Sequence, residues 1–475
     1  MKKLYIVIGL LFSLASCNNW LDVELDNKVD DNKLFSTAEG FREALAGIYS
    51  EMSKSNMYGQ TLTTEYIDIL SQYFRTNNNY QYWVGYDYKH NTSKNKISSI
   101  WNQLYSNISQ ANCILEWADK NASVMSESER NQVRGEALAL RAFLHFDLYR
   151  LFAPDVKRSP KAEGIPYNKI FGVSLPPMYT TEEVLQLIIN DLKEAEVCLK
   201  DDPIEKVVPY AIRTSTPQGD IIDKAAKDEA DKYVARVNLY GVKAMLARAY
   251  QARGENALAI EKAKEVIGSG KFRLLQLSSV DQSETQVDLT FSDEHIFALR
   301  NRALRENAEI IFKEVSGKGT ALQMYDGYNL YQGNRDDLRF SKWFDDFDFI
   351  KYLPDSNNIY PQKMPLIKLS EMYLLIAECC YNTAPDQARE HVNLLRRSRL
   401  RGNAEGQMDW MYMAKKDIFD EMRREYIGEG QMWYVYKRNN LDLPGGLTGT
   451  IEASEDIFVF PFPDAEIEDG HRTQR

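Results

Sequence analysis

The sequence predicts an all-α, mostly helical protein: an array of paired helices carrying long irregular loops and a few short strands. Three observations lead there. Apolar residues recur at helical spacing along most of the 475 residues, and a period near 3.6 selects helix over strand. Several of these runs follow a Ser or Thr with Glu three positions on, a pattern that caps a helix N-terminus from both sides. One segment, VKAMLARAYQARGENALAIEKAKEVIGSG, places small residues and a glycine turn between two helical stripes.

The stripes can be read in order. Phe41, Ala44, Leu45, Ile48, Tyr49 and Met52 form the first, with Ser36 and Glu39 as its expected capping box. Trp101, Leu104, Tyr105, Ile108 and Leu115 form the second. The third runs through Ala137, Leu140, Leu144, Leu148 and Leu151, capped by Ser126 and Glu129. The fourth holds Val184, Leu187, Ile188 and Leu192 behind Thr180 and Glu183. Then Leu246, Ala247, Tyr250, Gly254, Ala259 and Ala263 fall at tetratricopeptide-like spacing. Their small side chains let two antiparallel helices approach closely, Gly254 begins the turn, and Gly268 and Gly270 close the second helix. A looser pair follows, with Ile376, Ala377 and Cys380 on its first helix and Pro385 in the turn. Each pair leaves an apolar flank that only a neighbouring pair can cover, so the helices form an array rather than separate globules. Irregular stretches interrupt it at 72–98, 153–179, 203–233 and 275–365; loops of this length are functional or disordered, and aromatic content argues against disorder in the first and last. EHIFAL (294–299) reads as a short strand within the last.

Charge excludes some partners. The chain carries 58 basic and 69 acidic residues, a net charge of −11. Such a surface repels nucleic acid phosphates, whose binding needs a cationic footprint. Cys113, Cys198, Cys379 and Cys380 sit inside helical patterns without metal-ligand spacing and read as small buried apolar groups. The five histidines are scattered, and His145 lies in a helix-core pattern. No HExxH, GxSxG or phosphate-cradling glycine loop is present. No cofactor motif or calcium loop stands out, so no cofactor or metal is expected.

The N-terminus is informative. Lys2 and Lys3 precede an apolar run from Leu4 to Ala15, then Ser16 and Cys17. The run is shorter than the roughly 20 residues a membrane span needs. It reads as a cleaved export segment, residues 1–17, with Cys17 as the lipid-attachment residue that tethers the mature chain to a membrane. A cysteine that carries more than one acyl chain anchors firmly.

Two loops hold candidate ligand-binding side chains. Aromatic rings offer flat apolar platforms, and amide and guanidinium groups offer paired hydrogen bonds, the usual makings of a ligand pocket. YFRTNNNYQYWVGYDYKH supplies Tyr80, Tyr82, Trp83, Tyr86 and Tyr88 as rings, Asn77, Asn78 and Asn79 as hydrogen-bonding groups, and Arg75 for a hydroxyl or carboxylate. Tyr82, Tyr86 and Tyr88 alternate as in a hairpin, so some of these rings point inward and pin the loop. MYDGYNLYQGNRDDLRF repeats Tyr325, Tyr328 and Tyr331 every three residues, with Asn329, Asn334 and Arg335 among them.

Taken in order, these segments resemble the SusD/RagB family of Bacteroidetes outer-membrane nutrient-binding lipoproteins. NNWLDVEL after Cys17, FSTAEGFREALAGIYSEM, IWNQLYSNISQANCIL and RGEALALRAFLHFDLYRLFAPDV are similar to its N-terminal segments. DDLRFSKWF, PLIKLSEMYLLIAE, VNLLRRSRL, DEMRREYIGEGQMWYVYKR and FVFPFPDAEIEDG resemble its C-terminal ones. The chain departs from the family pattern at Met422 (usually Arg), Val435 (usually Asp) and Gly470 (usually Asn). Asn18 and Asn19 are less acidic than a typical surface-export tag.

The resemblance implies a single SusD-like domain over 18–475, with an N-terminal part (18–235) and a C-terminal part (236–475). It implies four tetratricopeptide-like pairs and no catalysis. The protein would sit on the outer leaflet of the outer membrane over a SusC-like TonB-dependent transporter. There it would bind an oligosaccharide, or in some members a peptide, and act as a hinged lid. The first loop is a usual place for ligand contacts in that family. Two further readings compete: a surface glycosidase using paired carboxylates, and a helical scaffold for protein partners.

Overall fold

The computed structural model describes residues 31–172, 175–210, 213–216, 219–222, 231–277, 288–313, 322–324, 327–346, 348–353, 362–403, 406–445, 449–470 and 472. Cys17, its signal segment and Tyr325 lie outside them. The chain is mostly helical, as its patterning predicts. The helices that build the scaffold are α1 (Ala38–Met52), α2 (Asn91–Lys120), α3 (Glu127–Phe152), α4 (Thr181–Cys198), α5 (Leu239–Arg253), α6 (Asn256–Gly268), α7 (Leu338–Trp343), α8 (Leu369–Cys380), α9 (Pro385–Arg397), α10 (Lys415–Glu425) and α11 (Met432–Asn439).

Two of the three expected capping boxes are present, at Ser126/Glu129 of α3 and Thr180/Glu183 of α4. The one at Ser36 is displaced by a residue. Thr37 caps α1 by accepting from the Gly40 amide at 3.2 Å, while the Ser36 hydroxyl donates back to the Lys33 carbonyl. The turn is tight enough that a Cβ at position 40 would stand 1.6 Å from the Leu34 carbonyl oxygen. Glycine is the residue that allows the chain to double back there.

α3 is buried almost all round from Val133 to Phe152, so it is the central helix of the array. It packs against α2 and α4, and α4 packs against α5. α5 and α6 form the expected antiparallel pair, and Gly254 ends α5 in the left-handed region at φ +85°. α6 packs on α8, which pairs with α9. Pro385 is the first residue of α9 rather than part of the turn, a position where its missing N–H costs nothing. One contiguous apolar core runs through these helices from Phe35 to Phe462.

The loops hold more structure than their composition suggests. α2 begins at Asn91, ten residues before the Trp101 stripe, because the His90 imidazole accepts the Thr92 amide and Ile97 and Ile100 extend the buried face. The expected hairpin over Tyr82–Tyr88 is absent. Gln81–Val84 form one helical turn, and Tyr86 takes a positive φ of 57°. The strands that matter to the site are β1 (Phe74–Arg75), β2 (His295–Arg300), β3 (Gln323–Met324), β4 (Phe344–Asp345), β5 (Asp348–Phe349) and β6 (Lys363–Lys368). The predicted EHIFAL strand is β2, buried and paired antiparallel with β6. Cys113, Cys379 and Cys380 are buried, Cys198 is half-buried, and all four are free thiols. Among the described residues, no helix is long and apolar enough to cross a membrane.

Candidate functional site

The two candidate loops meet in a small sheet. β1, β3, β5 and β4 lie side by side in that order, each pair antiparallel. Arg75 pairs with Gln323, Gln323 with Asp348, and Asp348 with Asp345. Directly opposed residues share a face, so these four form one polar row. The alternate positions, Phe74, Met324 and Phe349, are buried and fix the other face to the core. Strands about 4.8 Å apart give that row a length of roughly 14 Å.

Beside the sheet lies a cleft of ≈ 530 Å³. Arg75 comes to it from the first loop; Tyr328, Arg335, Phe340 and Phe344 come from the second. Tyr328 is 68 % exposed and meets Phe340 edge-on at 6.5 Å. Phe340 in turn stacks on Tyr331 at 5.5 Å. The Tyr328 carbonyl accepts the Gly333 amide at 2.7 Å, and a Cβ at 333 would stand 2.6 Å from the Tyr328 ring. Gly333 has φ +65°, so both backbone and ring position depend on its missing side chain. Asp337 caps α7 by accepting the Arg339 amide at 3.0 Å, which presents Phe340 and Ser341 to the cleft. Asp345 and Asp346 close the far rim. The cleft therefore offers one free aromatic face, two supporting rings, two guanidinium groups and two carboxylates.

The remaining expected residues divide by burial. Trp83 is 3 % exposed, donates its indole N–H to the Tyr66 carbonyl at 2.8 Å and packs edge-on against Tyr66 and Phe460. Its ring presents no free face. Tyr86 donates to the Leu70 carbonyl, accepts from Gln72 and stacks over Trp433. Tyr88 is buried and donates to the Ile457 carbonyl. Tyr331 is 2 % exposed and donates to the Arg424 carbonyl at 2.8 Å, so it is the floor beneath Phe340. Tyr80 is half-buried; its hydroxyl donates to Glu65 at 2.6 Å, and burial raises the Glu65 carboxyl above its ordinary range. Tyr82 stacks on His90 at 3.4 Å. Asn77 caps a helical turn through the Asn79 amide, and Asn78 is exposed. These last four stay near the surface but outside the cleft lining.

The structure thus brings Arg75, Tyr328 and Arg335 together. It adds Phe340, Phe344, Asp345 and Asp346, which the sequence reading did not single out as ligand groups. Their signal was the aromatic pair four residues apart that follows Arg335. A second groove, ≈ 650 Å³, runs between 86–98 and 455–467. Its rings Tyr88 and Phe462 are buried, and Lys94 bridges it to Asp464 at 3.0 Å. Its third ring, Tyr86, is half-buried and stacks one face on Trp433. Among the described residues, no three His, Cys, Asp or Glu side chains stand where they could hold a metal ion.

Comparison with known proteins fits this architecture. A family described as "Starch-binding associating with outer membrane" matches residues 19–215, and the SusD family matches 323–465. SusD-like protein P38 of Formosa agariphila is 27 % identical over 203 residues, 41 % of this chain and 37 % of that protein. SusD-like protein P25 of the same organism is 23 % identical over 208 residues, 42 % of this chain and 38 % of its own length. The matches therefore span well under half of either relative. A SusD superfamily protein from Bacteroides thetaiotaomicron superposes with TM-score 0.70 at 20 % identity, covering 92 % of this chain and 99 % of that one. A surface glycan-binding protein from Bacteroides uniformis superposes with TM-score 0.67 at 20 % identity, covering 92 % and 99 %. At such identities the two structures speak to the fold. With the family matches at both ends of the chain and the ordered motifs between them, they make this protein a member of the SusD/RagB family.

Proposed function

We propose that the protein is a non-catalytic glycan-binding lipoprotein of the outer membrane, tethered through Cys17 and facing the exterior. In this reading it captures an oligosaccharide at the sheet cleft and delivers it to a SusC-like TonB-dependent transporter. One observation carries the site: Tyr328 stands 68 % exposed on a ring-supported mount, with Arg75 and Arg335 lining the same cleft. An open ring face covers the C–H face of a pyranose, and guanidinium forks hydrogen-bond to hydroxyl or carboxylate oxygens. The family description names starch, and the Bacteroides uniformis neighbour is named for glycan binding. Both support a carbohydrate ligand here.

Calorimetry with a panel of oligosaccharides and peptides tests the ligand class. Saturable glycan binding that weakens at least tenfold in Tyr328→Ala supports the site; undiminished affinity in that variant moves it elsewhere. Peptide binding with no glycan binding converts the reading to a peptide-capturing version of the same role. Release of shortened sugars from a bound glycan would overturn the non-catalytic part. Purification from detergent-solubilised outer membrane tests tether and partner: a lipid on Cys17 and a co-purifying transporter are expected.

A further inference from the structure

Two of the departures from the family pattern, Met422 and Val435, line the same cavity. It is a narrow crevice among α3, α5, α8, α10 and α11 that shares no lining residue with the sheet cleft, with ≈ 50 Å³ open to the centres of water-sized molecules. Met422 and Val435 are buried, and with Phe146 and Leu375 they give it an apolar wall.

The facing wall is rich in donors. Arg248 is 5 % exposed; its Nε and Nη2 hold Glu371 at 2.5 and 2.6 Å, and Nη2 also donates to the Leu366 carbonyl. Its Nη1 is buried and has no hydrogen-bond partner. Among the described residues, no hydrogen bond reaches the hydroxyls of Tyr426 and Tyr434, two buried rings of the same lining. The Arg150 guanidinium lies 3.6 Å from the centre of the Tyr434 ring and holds it in place. A buried charged donor without an acceptor is a costly arrangement that an incoming oxygen relieves.

We propose that this crevice is a second binding site, which takes a small carboxylate on a short apolar stem. Its volume corresponds to about four waters, too small for a pyranose ring and about right for a three- to five-atom acid. A carboxylate accepts from Arg248 Nη1 and from the tyrosine hydroxyls, and its stem covers Leu375, Met422 and Val435. Sulfate or phosphate would meet the same donors but leave the apolar wall facing an anion. Asp147 stands behind Arg150 and Glu378 behind Arg438. The walls are therefore close to electrically balanced, and binding is correspondingly modest.

The test is a thermal-shift and calorimetric titration of the full chain with acetate, propionate and butyrate. Chloride at matched ionic strength and glycerol are the controls. A saturable rise in melting temperature with the acids, strongest for acetate or propionate and absent with both controls, supports the site. Tyr434→Phe keeps the ring under Arg150 and removes one hydroxyl; it should weaken the acid at least fivefold. Leu375→Phe fills the crevice and should abolish binding. No saturable response to any acid means the crevice holds water alone and overturns the proposal. So does an affinity unchanged in Tyr434→Phe, which decides the matter should Leu375→Phe fail to fold. Glycan affinity at the sheet cleft should be the same in both variants, so this inference stands or falls apart from the glycan reading.

Discussion

Asp337 and Arg339 are buried, whereas Arg335, Tyr328, Asp345 and Asp346 on the same stretch of chain stand at the cleft. The inner group belongs to a network. Arg339 reaches Asp337 and Glu421 at 2.7 Å and Glu425 at 3.0 Å. Arg399 joins Glu294 at 2.7 Å to Glu425 at 2.8 Å, and Lys368 bridges Glu425 to Glu429. In this network each charge is buried and held by fixed partners. At the cleft the same side-chain types line open space. The difference separates charge used to orient helices from charge presented to a ligand, and it places the cleft floor on a rigid mount.

The largest effect should come from breaking the network. Arg399→Ala leaves Glu294 and Glu425 buried and short of a partner, which costs about 3–5 kcal/mol. Denaturant unfolding measures it. A loss below 1 kcal/mol would mean that water reaches these carboxylates and would erase the contrast with the cleft.

Acid should separate the two regions next. Burial alone would raise Glu421, but Arg339, Arg424 and Arg396 overcome it and hold the carboxyl at about 2. Glu425 is likewise held well below its usual range against burial, by Arg399 and Lys368. Burial pulls the His145 imidazole down to about 3; its Nδ1 lies 2.8 Å from the Arg141 carbonyl, and its Nε2 accepts the Asn168 amide. In each case the unfolded chain takes up protons before the folded one does. Stability is full above the unfolded values, falls from about pH 6.5 for His145 and from about 4.5 for the glutamates, and continues down toward 3 and 2. The slope is ~1.4 kcal/mol per pH unit for each such group. Unfolding midpoints at pH 7, 5.5 and 4 check it, and His145→Gln should flatten the upper part of the curve.

The same contrast explains what could be read in the sequence. Helices α3, α4, α5 and α6 were legible because periodicity, capping boxes and Gly254 all agree. Ser36 misled because two adjacent hydroxyl residues can each cap a helix, and only the close pass of Gly40 over Leu34 selects Thr37. At the site, Arg75, Tyr328 and Arg335 were legible as chemistry. Trp83 and Tyr331 carry the same chemistry but pack inward, and composition does not give a ring its direction. The polar row across the sheet joins residues up to 273 positions apart (Arg75 to Asp348), a pairing that no local pattern encodes.

At the cleft, Tyr328→Ala removes an exposed ring and should leave unfolding stability within ±0.5 kcal/mol. Glycan affinity should fall about tenfold, or ~1.4 kcal/mol. Calorimetry and denaturant unfolding on the same sample read both. Loss of stability comparable to Arg399→Ala would show that Tyr328 belongs with the mount instead of the binding surface.

The smallest effect should come from Gly333. Its φ of +65° disfavours any L side chain, and a Cβ would meet the Tyr328 ring at 2.6 Å. Gly333→Ala carries both penalties: about 1 kcal/mol of backbone strain, and a displaced ring that lowers glycan affinity a few-fold. Gly333→Asn separates them, because asparagine tolerates the left-handed region while its Cβ still presses on the ring. Asparagine should therefore recover most of the stability lost by alanine and none of the affinity. Recovery of both would show that ring position does not set binding. The loop 327–335 would then act on the ligand through Arg335 and the backbone, and the aromatic mount would be structural throughout.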